Sequence, residues 1–324
     1  MPKILILRFS SIGDIVLTTP VIRCVKQQVP GAEVHFCTKQ GFRAMLESNP
    51  YVDKVHVLQN SLKELVQQLQ SENFDFVIDL HNNLRTRIIK FRLGKPSKSF
   101  NKLNYEKWLM VNFKQNRLPD VHIVDRYLAA AALLGVQDDG QGLDYYIPAK
   151  DEVELKSLPE PFRQGYVAFA IGAQHYTKRL PTERIIALCQ RLQRPVMLLG
   201  GKEDAVAGEE IAASFKSGEA GATVIYNACG KYNLNQSASL VRQAVQVVSH
   251  DTGLMHIAAA FGKNIISVWG NTIPEFGMYP YRTEFQVLEV QGLSCRPCSK
   301  IGYSRCPKGH FKCMRDISFD AIAI

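Results

Sequence analysis

Four patterns that identify common protein classes are absent from this chain of 324 residues. It has no G-x-G-x-x-G turn and no Walker A spacing, which excludes a P-loop NTPase and leaves a dinucleotide cofactor little support. No apolar run approaches the roughly 20 residues that span a bilayer. Residues 1–6 also show no export signal. We therefore expect a cytoplasmic protein, either soluble or bound peripherally to a membrane.

The composition is that of a globular protein, with 46% hydrophobic and 21% charged residues. The length suits two packed domains. Apolar runs alternate with helical patterns up to residue 134 and again from residue 166, and the stretch between them is rich in Asp, Gly, Pro and Lys. We predict an N-terminal domain over residues 1–150 and a C-terminal domain over residues 151–324.

The apolar runs show almost no polar alternation, which is typical of parallel sheets covered on both faces. Each domain is predicted to be α/β, with a doubly wound, mainly parallel sheet. Ligands of such sheets bind beyond the carboxyl ends of the strands, so the loops there should carry the chemistry. The predicted strands are 3–9, 33–38, 55–58, 74–80, 166–171, 196–199, 224–226, 245–249 and 265–268. The predicted helices are 15–28, 62–70, 124–134, 182–194, 204–215, 236–243 and 253–261.

The first such loop, residues 10–14, lies between the first strand and a helix. Ser10, Ser11 and Gly13 leave room for a ligand beside the N–H groups of the helix. Asp14 has two interpretations. It either caps the helix N-terminus or acts as a base that reaches a ligand hydroxyl.

A second loop, residues 172–179, follows the first strand of the C-terminal domain. It begins with glycine and ends in Lys178 and Arg179, a composition that suits a phosphate group. Lys178 could act as a point charge on a leaving diphosphate. Surface lysines are common, so this loop alone indicates little.

A third loop runs from an apolar strand into a helix of small residues over residues 249–260. The hydroxyl and amides of its turn could bind phosphate oxygens at the helix N-terminus. His256 is either a buried core histidine or a ligand contact. The candidate binding residues of this turn are Asp251, Thr252, Gly253, Leu254 and His256.

The positive charge is concentrated in residues 85–117, here called the basic segment. The chain has a net charge of +9, and the basic segment contains ten Lys or Arg against the single acid Glu106, interleaved with aromatic residues. Such a stretch suits an anionic membrane, a charged ligand or a nucleic acid. A solvated surface face is the alternative.

Four of the eight cysteines are clustered with the spacing C-x2-C-x7-C-x6-C. A reducing compartment disfavours disulfides. The cluster could hold a structural zinc ion, or its thiols could be free in a close-packed tail. The candidate ligands are Cys295, Cys298, Cys306 and Cys313.

Three motifs together carry a resemblance to a known family. S-S-I-G-D-I-V-L-T-T-P near the start, T-K-R-L-P midway and S-H-D-T-G-L-M-H-I-A-A-A late in the chain resemble glycosyltransferase family 9, the heptosyltransferases of lipopolysaccharide core assembly. The resemblance spans nearly the whole chain. It implies a GT-B fold, in which two Rossmann-like domains face a central cleft. It also implies inverting transfer of heptose from ADP-L-glycero-D-manno-heptose to a Kdo or heptose acceptor of the inner core.

The resemblance also implies roles for individual residues. Asp14 matches the general base, Lys178 a donor-phosphate contact, and residues 251–256 the donor-binding turn. The chain contains no D-x-D pair to hold a divalent ion on a diphosphate. We therefore expect catalysis without a cofactor, with a structural zinc in the tail as a separate prediction. The candidate acceptor contacts are Ser10, Ser11, Gly13, His81, Asn82, Arg85 and Arg87.

Three alternatives accompany this interpretation: a related transferase with another nucleotide sugar or glycan acceptor, a nucleic-acid or polyanion-binding module, and an oxidoreductase. For the transferase, the expected partners are ADP-heptose, a lipid-linked core oligosaccharide and the anionic inner face of the cytoplasmic membrane. No nucleic acid is expected. The basic segment fits this setting because a phosphorylated, lipid-bearing acceptor lies at an anionic surface.

Overall fold

The structure is a computed structural model that describes residues 1–215, 223–320 and 322. Its strands are β1 (Lys3–Leu7), β2 (Glu33–Lys39), β3 (Lys54–Leu58), β4 (Phe76–Asp79), β5 (Ser97–Ser99), β6 (Val167–Ala170), β7 (Val196–Leu199), β8 (Ile225–Asn227), β9 (Gln246–His250), β10 (Ile265–Trp269) and β11 (Phe285–Glu289). Its helices are α1 (Ile12–Val16), α2 (Thr19–Gln28), α3 (Leu62–Ser71), α4 (Leu84–Leu93), α5 (Asn104–Phe113), α6 (Ile123–Leu128), α7 (Thr182–Leu192), α8 (Ala205–Ala213), α9 (Leu234–Gln243), α10 (Gly253–Ala260) and α11 (Lys312–Arg315).

The chain divides into two compact units. Unit 1 comprises Met1–Lys102 and Val121–Pro148, and unit 2 comprises Leu103–Asp120 and Ala149–Ile324. The passage at Ala149 lies beside the boundary expected from the sequence. The sequence did not predict that Leu103–Asp120 belongs to unit 2. This assignment places α5 and part of the basic segment in unit 2.

Unit 1, whose residues are all described, contains a five-stranded sheet in the order β3-β2-β1-β4-β5. Each neighbouring pair of strands is parallel. The central strand β1 is apolar on both faces, and Ile4 to Leu7 are inaccessible to solvent. This double burial explains why the strand sequences show no alternation.

The described part of unit 2 contains a six-stranded sheet in the order β11-β10-β9-β6-β7-β8, again with parallel neighbours. Helices cover its faces; the cluster that includes Leu188, Val248 and Met314 forms one side of its core. The predicted α/β, doubly wound architecture is therefore confirmed for both units. The predicted cleft between them stays a prediction.

The helix predicted over residues 15–28 is wrong in one respect, because it is two helices, α1 and α2. Pro20 has no N–H to donate to the carbonyl of Val16, so a continuous helix would leave that oxygen without its bond. The Thr19 hydroxyl donates to it instead, at 2.8 Å, and the Thr18 hydroxyl donates to Ile15 at 2.7 Å. The break makes α1 a short helix, Ile12–Val16, with Asp14 in its first turn.

The helix predicted over residues 124–134 is also shorter than expected. α6 ends at Leu128, and a separate 3-10 turn covers Ala132–Leu134. The N–H groups of Ala130 and Ala131 donate to carbonyls three residues back rather than four. The last part of the predicted helix is therefore wound more tightly than an α-helix.

The strand order fixes where ligands can bind. In unit 1 the chain adds β2 and β3 on one side of β1, then crosses to add β4 and β5 on the other, so the order reverses between β1 and β4. In unit 2 the same reversal lies between β6 and β9. Loops diverge at such a switch point and leave a crevice beyond the carboxyl ends of the strands.

Arg23, on α2, anchors the end of unit 1 to the rest of that unit. Its side chain is 1% exposed and forms ion pairs with Asp139, at 2.6 Å, and with Asp144. It also donates to the carbonyl of Gly142 at 2.9 Å. The segment from Asp139 to Asp144 is thus held by one buried cation.

We expect Arg23→Met to lower the free energy of unfolding of unit 1 by about 3 kcal/mol, because it leaves two carboxylates without their buried partner. Urea denaturation followed by far-UV circular dichroism measures the loss. Arg43→Met is the matched control, since the Arg43–Glu47 pair is about half exposed on both sides and should contribute less than about 0.5 kcal/mol. Equal effects of the two substitutions would contradict the anchoring role.

Candidate active site

Asp14 lies at the switch point of unit 1, at the third position of α1. Its Oδ2 atom accepts from the backbone N–H of Ser11 at 3.1 Å and from the Ser11 hydroxyl at 2.8 Å. The carboxylate therefore does cap the helix N-terminus, as one of the two interpretations proposed. Its other oxygen, Oδ1, is bound by the guanidinium of Arg8 at 2.5 Å.

Arg8 is the residue that organises this end of unit 1. It follows β1 and is 7% exposed, and its nitrogen atoms reach three elements besides Asp14. Nε donates to the carbonyl of Ser10 at 2.7 Å, and Nη1 donates to the carbonyl of Leu80 and the hydroxyl of Tyr127, at 2.5 and 2.9 Å. One side chain thus ties the loop after β1, the end of β4 and α6 together.

Opposing effects set the pKa of the Asp14 carboxyl. Burial is the largest and raises it, the positive charge of Arg8 is the next and lowers it, and hydrogen bonds from Ser11 and Arg8 lower it further. The net result is a pKa below the ordinary aspartate value, so Asp14 is ionised at neutral pH. It can accept a proton, but it is a weaker base than a free carboxylate.

The loop after β4 is held by a buried aspartate. Asp79 is inaccessible to solvent and accepts from the backbone N–H groups of His81 and Asn82, at 3.0 and 2.7 Å. Its other oxygen pairs with Lys90 of α4 at 2.9 Å. Asp79 therefore determines the position of His81 and Asn82 without being one of the predicted site residues.

His81 lies beside the loop that carries Asp14. Its ring is edge-on to Phe9 with centroids 5.4 Å apart. Burial and the positive charges of Arg8 and Lys102 lower the pKa of His81 to about 4, so its imidazole is neutral at neutral pH. Its buried Nδ1 atom has no hydrogen-bond partner among the described residues. His81 therefore brings an unused polar atom to the switch point.

The remaining predicted acceptor residues occupy different positions. Asn82 has a positive φ of 47° and donates to the carbonyl of Phe100 at 3.1 Å, so it shapes the loop. Arg85 and Arg87 are exposed on α4, and within the described chain their side chains form no ion pair. His81 and Asn82 are thus partly buried at the switch point, whereas Arg85 and Arg87 are exposed on α4.

The equivalent switch point of unit 2 carries an ion pair between Lys178 and Asp251. Lys178 ends a short 3-10 turn after β6, and its ammonium lies 2.5 Å from Oδ2 of Asp251, which follows β9. Thr272, after β10, donates its hydroxyl to the same carboxylate oxygen at 2.9 Å. Two loops predicted separately from the sequence are thus in direct contact.

The donor turn predicted at residues 251–256 begins α10. Thr252 is its N-cap and its hydroxyl lies 3.2 Å from that of Ser249. Gly253 and Leu254 are partly exposed and start the helix, so their N–H groups have no carbonyl partner within it. His256 is 2% exposed, which favours the core interpretation over direct ligand contact.

The loop that carries Lys178 is held on three sides. Arg179 donates to the carbonyl of Ala173 at 2.6 Å and pairs with the buried Asp204 at 3.0 Å. Asp204 lies so close to Gly172 that a Cβ there would be 2.2 Å from its Oδ2 atom, so a larger residue would displace this carboxylate. The Leu180 N–H donates to Nε2 of His250 at 3.0 Å.

His250 is neutral in this position. Burial and the nearby Arg179 charge lower the pKa of His250 to about 3, and only the neutral ring can accept the bond from Leu180. The Lys178 loop is therefore attached to β9 by a bond that does not depend on pH in the neutral range.

The four clustered cysteines are neighbours in the structure but are not arranged around one point. Burial raises the pKa of Cys313 to about 12, and Cys295 lies 3.8 Å from Nε2 of His310. No three of these sulfur atoms, all in described residues, lie within 4.8 Å of one another. The structural zinc stays a prediction.

The tail has a clearer structural role, because it packs on the Lys178 loop. Tyr303 exchanges hydrogen bonds with Thr177: the Tyr303 N–H donates to the Thr177 hydroxyl at 2.8 Å and the Thr177 N–H to the Tyr303 carbonyl at 3.2 Å. Gly302, with φ of 142°, lies so close to His175 that a Cβ would be 2.5 Å from it. The tail thus supports the residue that precedes Lys178.

Sequence reasoning missed the residues that hold the site together. Arg8 is a single cation at the end of an apolar run, and Asp79 is a single acid at the end of another; this pattern could have indicated both. The sequence around Asp204 did not indicate its role, because that role is to pack against Gly172, which is distant in the sequence. A buried charge is recognised only when its partner is known.

The fold and these two switch points define a class of protein. Two doubly wound α/β units are present, with a paired carboxylate at the switch point of one and a lysine beside a helix N-terminus in the other. This is the architecture of GT-B glycosyltransferases.

A family model for glycosyltransferase family 9 (heptosyltransferase) matches residues 62–307, so the chain belongs to that family. The predicted resemblance is confirmed, and the chain is a transferase. The alternatives of a nucleic-acid-binding module and an oxidoreductase are correspondingly disfavoured.

Relatives and solved structures agree with this assignment. Lipooligosaccharide heptosyltransferase 2 of Haemophilus influenzae is 27% identical over 85% of each chain. The structure of E. coli ADP-heptose lps heptosyltransferase II has a TM-score of 0.70 at 22% identity, covering 93% of this chain and 92% of that one. E. coli heptosyltransferase WaaC with ADP-2-deoxy-2-fluoro heptose has a TM-score of 0.66 at 24% identity, covering 90% and 94%.

We expect Arg8→Gln to have a lower free energy of unfolding than the parent at about pH 7, and we expect this difference to become smaller as the pH is lowered to about 4. In the parent, the lowered pKa of Asp14 gives stability that is present above the ordinary aspartate pKa and lost as pH falls through the folded value. Without Arg8, burial dominates and raises that pKa, so the ionised carboxylate destabilises the variant at neutral pH and protonation relieves it. Urea denaturation at several pH values measures the gap.

The same substitution in an Asp14→Asn background is the control, because His81 also titrates near Arg8. The narrowing must be larger when Asp14 is present than when it is Asn. A gap that changes equally in both backgrounds would mean that Arg8 does not control the ionisation of Asp14.

Proposed function

We propose that this enzyme transfers a heptose from ADP-L-glycero-D-manno-heptose to a sugar of the lipopolysaccharide inner core, with inversion at the transferred carbon. The observation that carries the proposal is the contact of Lys178 with Asp251 beside the first turn of α10, at the switch point of unit 2. The named activities of the relatives, and the ADP-heptose analogue bound to WaaC, support the donor.

Unit 2 is the proposed donor unit. The first turn of α10 offers N–H groups and the positive end of a helix dipole to a diphosphate, and the hydroxyl of Thr252 lies at its start. Lys178 is held next to this turn by Asp251, so a cation is already present where negative charge develops on the leaving ADP. With no D-x-D pair in the chain, we propose that these groups act in place of a divalent ion.

Unit 1 is the proposed acceptor unit, with Asp14 as the base. Its carboxylate is ionised and retains 18% exposure, so a hydroxyl group can reach it. Removal of the acceptor proton as the new glycosidic bond forms would make the oxygen a better nucleophile. The unused Nδ1 of His81 supplies a further polar group for the acceptor sugar.

We expect Asp14→Asn to lower kcat/KM by about 10²- to 10⁴-fold, because general-base catalysis is lost, with the Kd for ADP nearly unchanged. We expect Lys178→Gln to raise the Kd for ADP at least about tenfold, because a charged hydrogen bond to phosphate is lost. Turnover with ADP-heptose and a core acceptor, and calorimetric titration with ADP, measure the two effects.

Lys156→Gln is the control for the charge change, since Lys156 is 82% exposed at its side chain and should leave both quantities unaltered. Full turnover in Asp14→Asn would leave Asp14 as a helix cap only. A larger thermal shift with GDP or UDP than with ADP would redirect the donor to another nucleotide sugar.

We further propose that the enzyme works at the inner face of the cytoplasmic membrane. No helix among the described residues is long and apolar enough to cross a bilayer. On α4, however, Leu84, Ile88 and Phe91 are exposed, and their spacing places them on one face of the helix. Arg85 and Arg92 lie along one side of this face, so it matches an anionic lipid surface.

A second exposed apolar surface, formed by aromatic side chains, lies in unit 2. Tyr105, Trp108 and Phe113 of α5 are each more than half exposed, while Lys114 donates to the carbonyl of Pro297 and holds the helix on its own unit. Aromatic side chains of this kind favour the interface between water and lipid. Unit 1 thus offers an apolar face with arginines beside it, and unit 2 offers an exposed aromatic surface.

We expect Leu84→Ser/Phe91→Ser to reduce co-sedimentation with vesicles that contain phosphatidylglycerol, because about 0.8 kcal/mol is lost for each buried methylene. The Kd for ADP should stay unchanged. Val206→Ser is the control, since Val206 is 81% exposed on α8. Equal binding of the parent and the double variant, or equal binding to neutral and anionic vesicles, would refute this surface.

A further inference from the structure

Two histidines and a glutamate meet at one edge of the unit 1 sheet, away from the carboxyl ends of the strands. His35 is on β2, His56 is on the edge strand β3, and Glu72 directly follows α3. His35 is inaccessible to solvent and His56 is 5% exposed. Nothing in the proposed transfer uses these three side chains.

Their ligand atoms lie within reach of one ion. Nδ1 of His35 is 2.9 Å from Nε2 of His56. Oε1 of Glu72 is 3.9 Å from Nε2 of His56, and Oε2 of Glu72 is 4.0 Å from Nδ1 of His35. A tetrahedral zinc ion with bonds of about 2.0–2.1 Å separates its ligand atoms by roughly 3.3 Å. The three observed distances lie on both sides of this value, so small side-chain rotations suffice.

The carboxylate of Glu33 binds the ring nitrogen of His35 that faces away from His56. Nε2 of His35 donates to Glu33 at 2.7 Å, which directs the lone pair of Nδ1 towards His56. Metal-bound histidines almost always donate their other ring nitrogen to such a partner, which fixes the tautomer and strengthens the ligand. Glu33 is two residues before His35 on the same strand, so its side chain is on the same face.

Solvent reaches the cluster from one side. His56 and Glu72 line a cavity together with Lys54, Val57 and Ser71. An ion can therefore enter, and a water molecule from the cavity can occupy the fourth position. A site with three protein ligands and one solvent ligand is an accepted zinc arrangement.

Two lysines compete with an ion for Glu72. Lys54 and Lys3 both bind its carboxylate, one at each oxygen, the latter at 3.3 Å. Each carboxylate oxygen has more than one lone pair, so the lysines lower the affinity for a cation without blocking the ligand. The charges of Glu33 and Glu72 offset those of the two lysines before any ion binds.

We propose that His35, His56 and Glu72 form a zinc site, with Glu33 as the group that orients His35. Imidazole nitrogen and carboxylate oxygen are ligands that zinc prefers, and magnesium and calcium prefer oxygen alone. The ion would fasten β2 and β3 to the end of α3. This site is separate from the clustered cysteines, which are all in unit 2.

The test uses the full chain with Cys295→Ser/Cys298→Ser, which weakens any binding by the tail. After dialysis against EDTA, the protein is titrated with zinc chloride, and bound zinc per chain and melting temperature are measured. We expect one tightly bound zinc and a rise in melting temperature. Neither should occur with magnesium chloride at the same concentration.

Four variants separate a zinc site from a hydrogen-bonded polar cluster. His56→Gln should lose the bound zinc, and Glu33→Gln should raise its Kd about 10- to 100-fold. Lys54→Gln should lower the Kd several-fold, because it removes a competing cation but no ligand. Glu47→Gln, an exposed substitution in unit 1, should change nothing.

The melting temperature of each variant in EDTA shows whether it is folded. Should His56→Gln fail to fold, the opposite shifts of Glu33→Gln and Lys54→Gln still decide the outcome. Unchanged zinc content and an unchanged zinc-induced shift in these variants would overturn the proposal, and so would equal stabilisation by magnesium.

Discussion

The loops at the carboxyl ends of β1 and β4 in unit 1 depend on the ion pair between Arg8 and Asp14. A parallel sheet buries the end of its central strand, so a cation there must be paired or strongly destabilising. The guanidinium nitrogens of Arg8 bind Asp14, the end of β4 and α6. The same contact therefore fixes the backbone around the switch point and sets the ionisation of the residue proposed as the base.

In both units a charged side chain is held in place by a partner of opposite charge, but the signs are reversed. In unit 1 a buried arginine holds a carboxylate in its ionised form, whereas in unit 2 a carboxylate, Asp251, holds the ammonium of Lys178 next to a helix N-terminus. Lys178 and Asp251 come from different loops, so their pair forms only when the sheet is assembled. Arg8 and Asp14 both lie between the end of β1 and the first turn of α1, so their pair is local. In the proposed function, each pair orients its functional group before substrate binds.

Sequence reasoning found the elements whose signal is local. Continuous apolar runs predicted the parallel strands, and glycine-rich or small-residue loops after them predicted Lys178 and residues 251–256. It missed the break at Pro20 although the cause is local, because Pro20 and the threonine hydroxyls that compensate for it are adjacent in the sequence. It missed the placement of α5 in unit 2 because that depends on distant contacts such as Lys114 with Pro297. The metal cluster was invisible because its ligands are spread over 38 residues, from His35 to Glu72.

The ionisation of Asp14 constrains how the reaction can be catalysed. A base works best when its pKa is near the working pH, and the pKa of Asp14 is held below its ordinary value by Arg8. Proton transfer alone therefore supplies less of the rate enhancement than a tuned base would. In the proposed function, the remainder comes from positioning of the substrates and from stabilisation of the leaving diphosphate by Lys178 and the first turn of α10. In the proposed function, a weak base that is ionised at neutral pH suits a reaction in which the bond to the leaving diphosphate breaks ahead of attack by the acceptor.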